Sequence, residues 1–242
     1  NVDFVLNILK KGLIFASRLN VRTLVFGSPG IRNVHSNQEF ENSKIFFRQL
    51  ADLAQVYDIQ IALEPNPTIY NTNFINTTLD ALEYVKMIKH SNFGINLDLG
   101  TVIENNELIH DIIDKEHFQW IKHVHISEPY LVPIKSDHSD LHIELLKRLN
   151  AVGYDRYVSI EMKSGLERQE LCEILEYIKE KGIKAGVLQE KETRRAHHLW
   201  CRYLWLICRT KGARKGSKCF GDRIRREAFH ARHVHQSSAC TQ

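Results

Sequence analysis

Short runs of apolar, often β-branched residues alternate along the first 180 positions with longer segments whose apolar residues recur at helical spacing. The short runs predict buried strands at 22–27, 59–63, 93–97, 121–126 and 157–160, and 131–135 is a weaker candidate. The longer segments predict helices at 38–56, 78–90, 107–114, 141–150 and 167–181, with another at 2–18 before the first strand. Thr77 or Thr78 is the expected N-cap of the helix at 78–90.

This alternation of strands and helices predicts an α/β fold with a parallel sheet covered by helices. Polar side chains occur where each strand ends: Ser28, Glu64, Asp98, Glu128 and Glu161. In a (β/α)8 barrel of the TIM type those ends converge on one face, where the active site is built. An open doubly wound sheet is the competing topology, but no glycine-rich phosphate loop follows any strand.

The number of predicted strands is too small for a closed barrel. A complete barrel takes about 250 residues, whereas the periodic pattern ends near residue 187. We therefore expect an incomplete barrel domain at 1–187 that lacks about two N-terminal βα units. Residues 188–242 are expected to form an irregular, poorly ordered basic tail.

Charge and cysteine are concentrated in this tail. Residues 191–242 hold 13 of the 33 Lys and Arg residues, 3 of the 29 Asp and Glu residues, and four of the five cysteines. The spacing of these cysteines matches no compact zinc module. Basic residues interleaved with aromatics could contact nucleic acid, but an extension without packed structure is the preferred interpretation.

The remainder of the chain predicts a soluble protein of a reducing compartment. Its single cysteine, Cys172, excludes a disulfide framework there. No apolar run approaches the roughly 20 residues that span a membrane, and the first residues lack the basic region of a signal peptide. We expect a cytoplasmic location and no membrane partner, and leave open whether the chain forms a homo-oligomer.

Four strand-end residues are the strongest chemical signal: Glu64, Asp98, His125 and Glu161. They are separated by 34, 27 and 36 residues, which correspond to one or two βα units each. Three carboxylates and one imidazole suit Mn²⁺, Mg²⁺ or Co²⁺, with Zn²⁺ less favoured. Any one acidic residue at a strand end could simply be solvated, but four on one face predict a metal site.

Five motifs, in chain order, resemble those of the xylose-isomerase-like family of sugar and sugar-phosphate isomerases and epimerases. The first motif is Leu-Val-Phe-Gly-Ser-Pro at 24–29, followed by Arg32, and the second is the segment 61–67, followed by Tyr70. The third is Asn-Leu-Asp-Leu-Gly at 96–100, and the fourth is His-Val-His-Ile-Ser-Glu-Pro at 123–129. The fifth is the segment 153–163. The resemblance covers about residues 20–180. It implies a TIM barrel, a bound divalent metal and a small sugar or sugar phosphate as substrate.

The resemblance also implies residue roles. Glu64, Asp98, His125 and Glu161 would hold the metal, and Glu64 and Glu161 would also be the catalytic acid/base pair. The reaction would be proton transfer next to a carbonyl through an enediolate. The candidates for substrate binding are Arg32, Asn66, Tyr70, His123, Glu128 and His138. Among these, Asn66 could instead cap a turn, His123 could only support the site, and His138 could be solvated.

The sequence also departs from the ketose 3-epimerase branch of this family. That branch has a histidine and an arginine where this chain has Thr101 and Leu131, which argues against a free ketose as substrate. DNA-repair endonucleases of the same barrel family need additional histidine ligands, of which this chain supplies few. The alternative to an isomerase is a non-catalytic barrel remnant whose basic tail binds nucleic acid or another acidic partner.

Overall fold

Six parallel strands form one sheet, in which they lie side by side in the order of the chain. The structure is a computed structural model that describes residues 2–30 and 32–188, and the backbone of 204–209. The strands are β1 (Thr23–Phe26), β2 (Gln60–Leu63), β3 (Phe93–Asp98), β4 (Ile121–Ile126), β5 (Val158–Lys163) and β6 (Leu204–Arg209). The helices are α1 (Val2–Arg18), α2 (Asn37–Val56), α3 (Thr78–Ile88), α4 (Leu99–Glu104), α5 (Ile109–Ile112), α6 (Ser139–Ala151) and α7 (Arg168–Lys184).

The sheet is curled rather than flat. Cα atoms of β1 and β4 approach within 8 Å of each other, although two strands lie between them. In a flat sheet, strands three places apart would be about 14 Å apart. The sheet with its covering helices is therefore part of a barrel, which confirms the predicted α/β class and incomplete TIM-type architecture.

The helices pack their apolar faces on the outside of this curved sheet. In α2 the buried residues Phe47, Leu50, Ala51 and Ala54 recur at helical spacing. Phe47 lies edge-on to Phe26 of β1, with ring centroids 5.1 Å apart, and also contacts Phe93 of β3. The N-cap of α3 is Thr77, whose side chain accepts a hydrogen bond from the Asp80 amide. No helix in the described part of the chain is both long and apolar enough to cross a membrane.

Element boundaries differ from the predictions mainly after β3 and β4. Helix α4 begins directly at Leu99, because the Asp98 side chain caps it by accepting a hydrogen bond from the Thr101 amide. The helix predicted at 107–114 is reduced to α5. The weaker strand candidate at 131–135 was wrong. The chain instead makes a 3₁₀ turn at Pro129–Leu131, which Pro129 opens without an amide hydrogen to donate.

Strand β6 lies within the tail, where no element was predicted. Its backbone pairs in parallel with β5, from Val158 opposite Leu204 to Lys163 opposite Arg209. The segment Leu-Trp-Leu-Ile-Cys is an apolar run among basic residues, and a strand is what such a run forms beside an open sheet edge. The other tail residues, 189–203 and 210–242, lie outside the described residues, so the domain boundary near 187 stays a prediction.

Substituting alanine for each of two glycines should change the free energy of unfolding in opposite directions. A Cβ on Gly94, in β3, would overlap the carbonyl oxygen of Trp120 and the Lys122 side chain, whereas one on Gly12, in α1, would meet nothing within 4 Å. We expect Gly94→Ala to lower the free energy of unfolding by about 1–3 kcal/mol, because main-chain atoms must move.

The control variant, Gly12→Ala, should raise that free energy by about 1 kcal/mol, because alanine is the better helix former. Urea unfolding of both variants measures the two changes. Equal effects of the two substitutions would contradict the close approach at Gly94.

Candidate metal centre

The concave face of the sheet is polar near the carboxyl ends of its strands. Side chains alternate between the two faces of a strand, so residues two apart share a face. This spacing aligns Asn96 with Asp98 in β3, His123 with His125 in β4, and Ser159 with Glu161 in β5; all six are buried. Polar residues at alternate positions of buried strands therefore mark the inside of the barrel.

Glu64, Asp98, His125 and Glu161 come together at this face. One potential ligand atom from each lies within 4.8 Å of the others, and all four residues are buried. His125 Nδ1 lies 3.1 Å from Glu64 Oε2, 3.0 Å from Glu161 Oε2 and 3.9 Å from Asp98 Oδ2. Ligands about 2.1 Å from an octahedral ion are about 3.0 Å apart when adjacent and about 4.2 Å apart when opposite. The three distances from His125 Nδ1 therefore lie in the range expected between ligands of one divalent cation.

Burial and mutual repulsion control protonation in this cluster. Burial raises the pKa of Asp98 to about 7, and the charge of Glu64 adds to the rise, against opposing effects of His125 and Ser127. Burial alone would lower the pKa of His125, but its interactions with Glu161 and Glu64 overcome this effect and raise the pKa to about 10. Without a metal, protons on His125 and Asp98 therefore reduce the negative charge of the cluster.

Both oxygens of Asp98 have hydrogen-bond donors. Oδ1 accepts from the Thr101 amide at 2.8 Å, and Oδ2 accepts from Ser127 Oγ at 2.6 Å. Ser127 in turn accepts from the Gly100 amide at 2.9 Å. The cap of α4 and the residue after β4 thus fix the orientation of this carboxylate. Sequence reasoning did not single out Ser127, although its position two residues after His125 was a usable signal.

Glu64 is held from three sides. Asn96 Nδ2 donates to Glu64 Oε2 at 2.7 Å and lies 3.0 Å from His125 Nδ1. On the β1 side, a Cβ at position 27 would lie 2.5 Å from Glu64 Oε1, so a residue larger than Gly27 would displace this carboxylate. Asn96 was also missed by the sequence analysis, although it lies two residues before Asp98 on the same face.

Arg32 and Asn66 lie behind Glu64. Both terminal nitrogens of Arg32 donate to the Glu64 carbonyl oxygen at 3.0 Å, and Asn66 Nδ2 donates to the same oxygen at 3.0 Å. Asn66 also donates to the Gly27 carbonyl oxygen. Burial lowers the pKa of Arg32 to about 10, against the opposing charge of Glu64, so the guanidinium stays charged at neutral pH. These contacts support the backbone of Glu64.

The other predicted substrate residues lie in different surroundings. His123 Nε2 lies 2.9 Å from Ser159 Oγ, and burial, together with His125, lowers its pKa to about 3. Glu128 is buried and accepts a hydrogen bond from His138, with Glu128 Oε2 2.6 Å from His138 Nδ1. Tyr70 is part of the loop that follows β2. The structure thus brings the four candidate ligands together, pairs Glu128 with His138, and places Tyr70 in a neighbouring loop.

Known proteins share both the sequence pattern and the fold. The model of a family described as xylose isomerase-like TIM barrel matches residues 2–187. A ketose 3-epimerase from Arthrobacter globiformis is 31% identical over 121 residues, which are 50% of this chain and 40% of that protein. The chain thus matches less than half the length of this relative.

Two solved structures show the same fold at lower identity. D-psicose 3-epimerase from Clostridium cellulolyticum H10, determined with D-tagatose, is 17% identical and has a TM-score of 0.59 over 76% of this chain and 68% of that one. The IOLI protein, determined with a zinc atom, is 20% identical and has a TM-score of 0.52 over 74% and 68%.

Metal affinity should depend on pH. A cation that binds the four donors must displace the protons that His125 and Asp98 hold in the metal-free protein. Because the metal-free state binds more protons, the affinity for Mn²⁺ should fall as the pH is lowered from about 8 to about 6. The loss should be about tenfold per pH unit for each proton displaced. Calorimetry in buffers of different ionisation enthalpy counts the released protons; a pH-independent affinity without proton release would contradict this protonation scheme.

The hydrogen bond from Ser127 to Asp98 should strengthen metal binding. We expect Ser127→Ala to weaken Mn²⁺ affinity by about 10- to 100-fold, because Asp98 loses a partner that orients it. The matched control is Ser159→Ala, which removes a buried hydroxyl from the same face of the sheet; this hydroxyl lies 2.9 Å from His123 Nε2. Both variants should lose about 1 kcal/mol of stability, and similar metal affinities in both would show that Ser127 does not position the ligand.

Proposed function

We propose that this chain, which belongs to the xylose isomerase-like TIM-barrel family, is a divalent-metal-dependent isomerase or epimerase of a sugar or sugar phosphate. The observation that carries the proposal is the buried cluster of three carboxylates and one imidazole, whose ligand atoms lie within 4.8 Å of one another. The match to a ketose 3-epimerase supports the reaction class.

Glu64, Asp98, His125 and Glu161 would hold the metal. The predominance of carboxylate oxygens favours Mn²⁺, Mg²⁺ or Co²⁺. Zn²⁺ is the less favoured alternative, and the IOLI protein, which has the same fold, was determined with a zinc atom. A bound cation would supply Lewis-acid polarisation of the substrate carbonyl and stabilise the enediolate. Every other step falls to the side chains of the protein.

In this proposal Glu64 and Glu161 also act as the acid/base pair. Glu64 directly follows β2 and Glu161 lies on β5. They flank His125, whose Nδ1 is 3.1 Å from Glu64 Oε2 and 3.0 Å from Glu161 Oε2. One carboxylate would remove the proton from the carbon beside the carbonyl, and the same or the opposite carboxylate would return it. Return to the opposite face of the carbon gives epimerisation. Return to the neighbouring carbon gives isomerisation.

Substrate recognition should differ from that of ketose 3-epimerases. Thr101 is buried and its hydroxyl donates to the Pro65 carbonyl oxygen at 3.2 Å, so it braces the loop after β2. The guanidinium of Arg32 is occupied by the Glu64 main chain, and Glu128 and His138 bind each other. We therefore assign these residues, with Asn66 and His123, to supporting the site, and retain Tyr70 as the candidate for direct substrate contact.

Solvent deuterium provides the test of this reaction. The protein with Mn²⁺, incubated in D₂O with a panel of ketoses, aldoses and their phosphates, should incorporate deuterium beside the carbonyl of at least one sugar. Glu161→Gln and Glu64→Gln should each lower this exchange by about 100-fold or more, because general acid/base catalysis contributes about that much. Mass spectrometry measures the incorporation.

The control is Glu144→Gln, which removes a charge from the exposed face of α6 and should leave deuterium incorporation unchanged. Absence of exchange with every sugar, from protein shown to bind Mn²⁺, would exclude the proposed reaction for this chain.

A further inference from the structure

Two loops meet above the ligand cluster through a pair of tyrosines. Tyr70 ends the 3₁₀ turn Thr68–Tyr70 after β2, and Tyr130 lies in the 3₁₀ turn Pro129–Leu131 after β4. The Tyr130 amide donates a hydrogen bond to the Tyr70 hydroxyl at 2.9 Å. The two rings are arranged edge to face, with centroids 6.4 Å apart. We call this contact the tyrosine bridge.

The tyrosine bridge spans the carboxyl end of β3, which lies between β2 and β4. Tyr70 is half-buried, and its pKa is raised to about 12 by burial, against the hydrogen bond from Tyr130, with smaller contributions from Asp98, Glu104 and Glu161. The turn that holds Tyr130 also has Cα atoms within 8 Å of Cα atoms of β5 and of α4, the helix that follows β3. The bridge therefore lies at the carboxyl ends of the strands that carry the candidate ligands.

The ligand side chains beneath the bridge have little contact with solvent. His125 is 3% exposed, Glu64 and Glu161 are 8% exposed, and Asp98 is 10% exposed. The four side chains thus present little surface to a cation or a sugar that approaches from solvent. An entry that widens when a neighbouring loop moves would raise the rate at which either one reaches the cluster.

The loop after β4 is tightly packed where it leaves the strand and has an unfavourable backbone conformation at its end. At its start, Glu128 is buried and forms a hydrogen bond with His138. The Glu128 main chain also lies so close to Gly100 that a Cβ on Gly100 would come within 2.9 Å of it. At its end, Tyr130 and Leu131 both have left-handed backbone angles, with φ of 60° and 55°. Such angles are unfavourable for residues other than glycine, asparagine and aspartate. Opening the exposed bridge would release this strain without moving the start of the loop.

We propose that the tyrosine bridge is a gate that controls access of the metal and the substrate to the cluster, with Tyr130 as a further residue of the site. The inference rests on the proposed function, since it takes the cluster to be a metal and substrate site. The gate opens by breaking the Tyr130–Tyr70 hydrogen bond and swinging the 3₁₀ turn at 129–131 outward. Opening does not move the four candidate ligand residues. It therefore changes the rates at which the metal enters and leaves the cluster, and it leaves the affinity for the metal unchanged.

The test compares two tyrosine-to-phenylalanine variants of the full chain. Tyr70→Phe removes the acceptor of the bridge and keeps the ring. The matched control, Tyr84→Phe, removes a hydroxyl that lies 2.7 Å from Ser43 Oγ, between α2 and α3, and that has no part in the Tyr130–Tyr70 hydrogen bond. The rate of Mn²⁺ association is measured by stopped flow, and the rate of Mn²⁺ loss by extraction with excess chelator.

For Tyr70→Phe we expect both rates to rise by the same factor, about two- to tenfold, as loss of one hydrogen bond predicts, with an unchanged dissociation constant. Tyr84→Phe should match the parent protein. Unchanged rates in Tyr70→Phe would overturn the gate. A changed dissociation constant would also overturn it, because Tyr70 would then support the ligands.

If no Mn²⁺ binds to the parent protein, that result contradicts the proposed metal centre and does not test the gate. A second measurement, made on metal-free protein, tests the gate by itself. Water-soluble carbodiimide labels accessible carboxyl groups, and peptide mass mapping gives the labelling rates of Glu64 and Glu161. These rates should rise about two- to tenfold in Tyr70→Phe and not in Tyr84→Phe. Equal labelling in the parent protein and Tyr70→Phe would overturn the gate.

Discussion

Three carboxylates buried within 4.8 Å of one another and of a single imidazole are the constraint around which this structure is organised. Burying like charges is strongly unfavourable unless they are neutralised or given hydrogen-bond donors. The protein supplies donors from several elements: the Asn96 amide to Glu64, and the Ser127 hydroxyl and Thr101 amide to Asp98. The charge that remains is balanced by protons on His125 and Asp98 or, in our proposal, by a divalent cation. A site that is unfavourable without a cation is suited to bind one.

The curvature of the parallel sheet is what makes such a cluster possible. Glu64 directly follows β2 and Glu161 lies on β5; in a flat sheet these two strands would be three strand spacings apart, about 14 Å. Curling brings both carboxylates to about 3 Å from His125 Nδ1. The apolar side chains of the opposite face pack beneath the helices, so the same strand pattern builds the core and the site. Stability and chemistry therefore depend on one alternation of inward and outward residues.

The segments that follow the strands support the candidate ligands. Helix α4 begins at the residue after Asp98, so the cap that starts the helix also orients the candidate ligand. The loop after β4 contributes Ser127 to Asp98, Glu128 to a bond with His138, and Tyr130 to the bridge with Tyr70. Residues adjacent in sequence thus support a ligand, anchor the loop and connect it to the loop after β2. In our proposal this last contact is the part that moves, while the ligands stay fixed.

The sequence by itself determined the five strands of residues 2–188, their parallel arrangement and the identity of the four clustered residues. Each of these follows from local periodicity and from the rule that strand ends converge in a barrel. It did not reveal α4, β6 or the roles of Asn96 and Ser127. It also could not show that Arg32 binds the Glu64 backbone, or that Glu128 binds His138. Those contacts join residues from different strands, loops and helices, and a hydrogen-bonding side chain has the same sequence signature whether its partner is a substrate, a metal ligand or the main chain. Only the tertiary structure decides which partner lies within 3 Å.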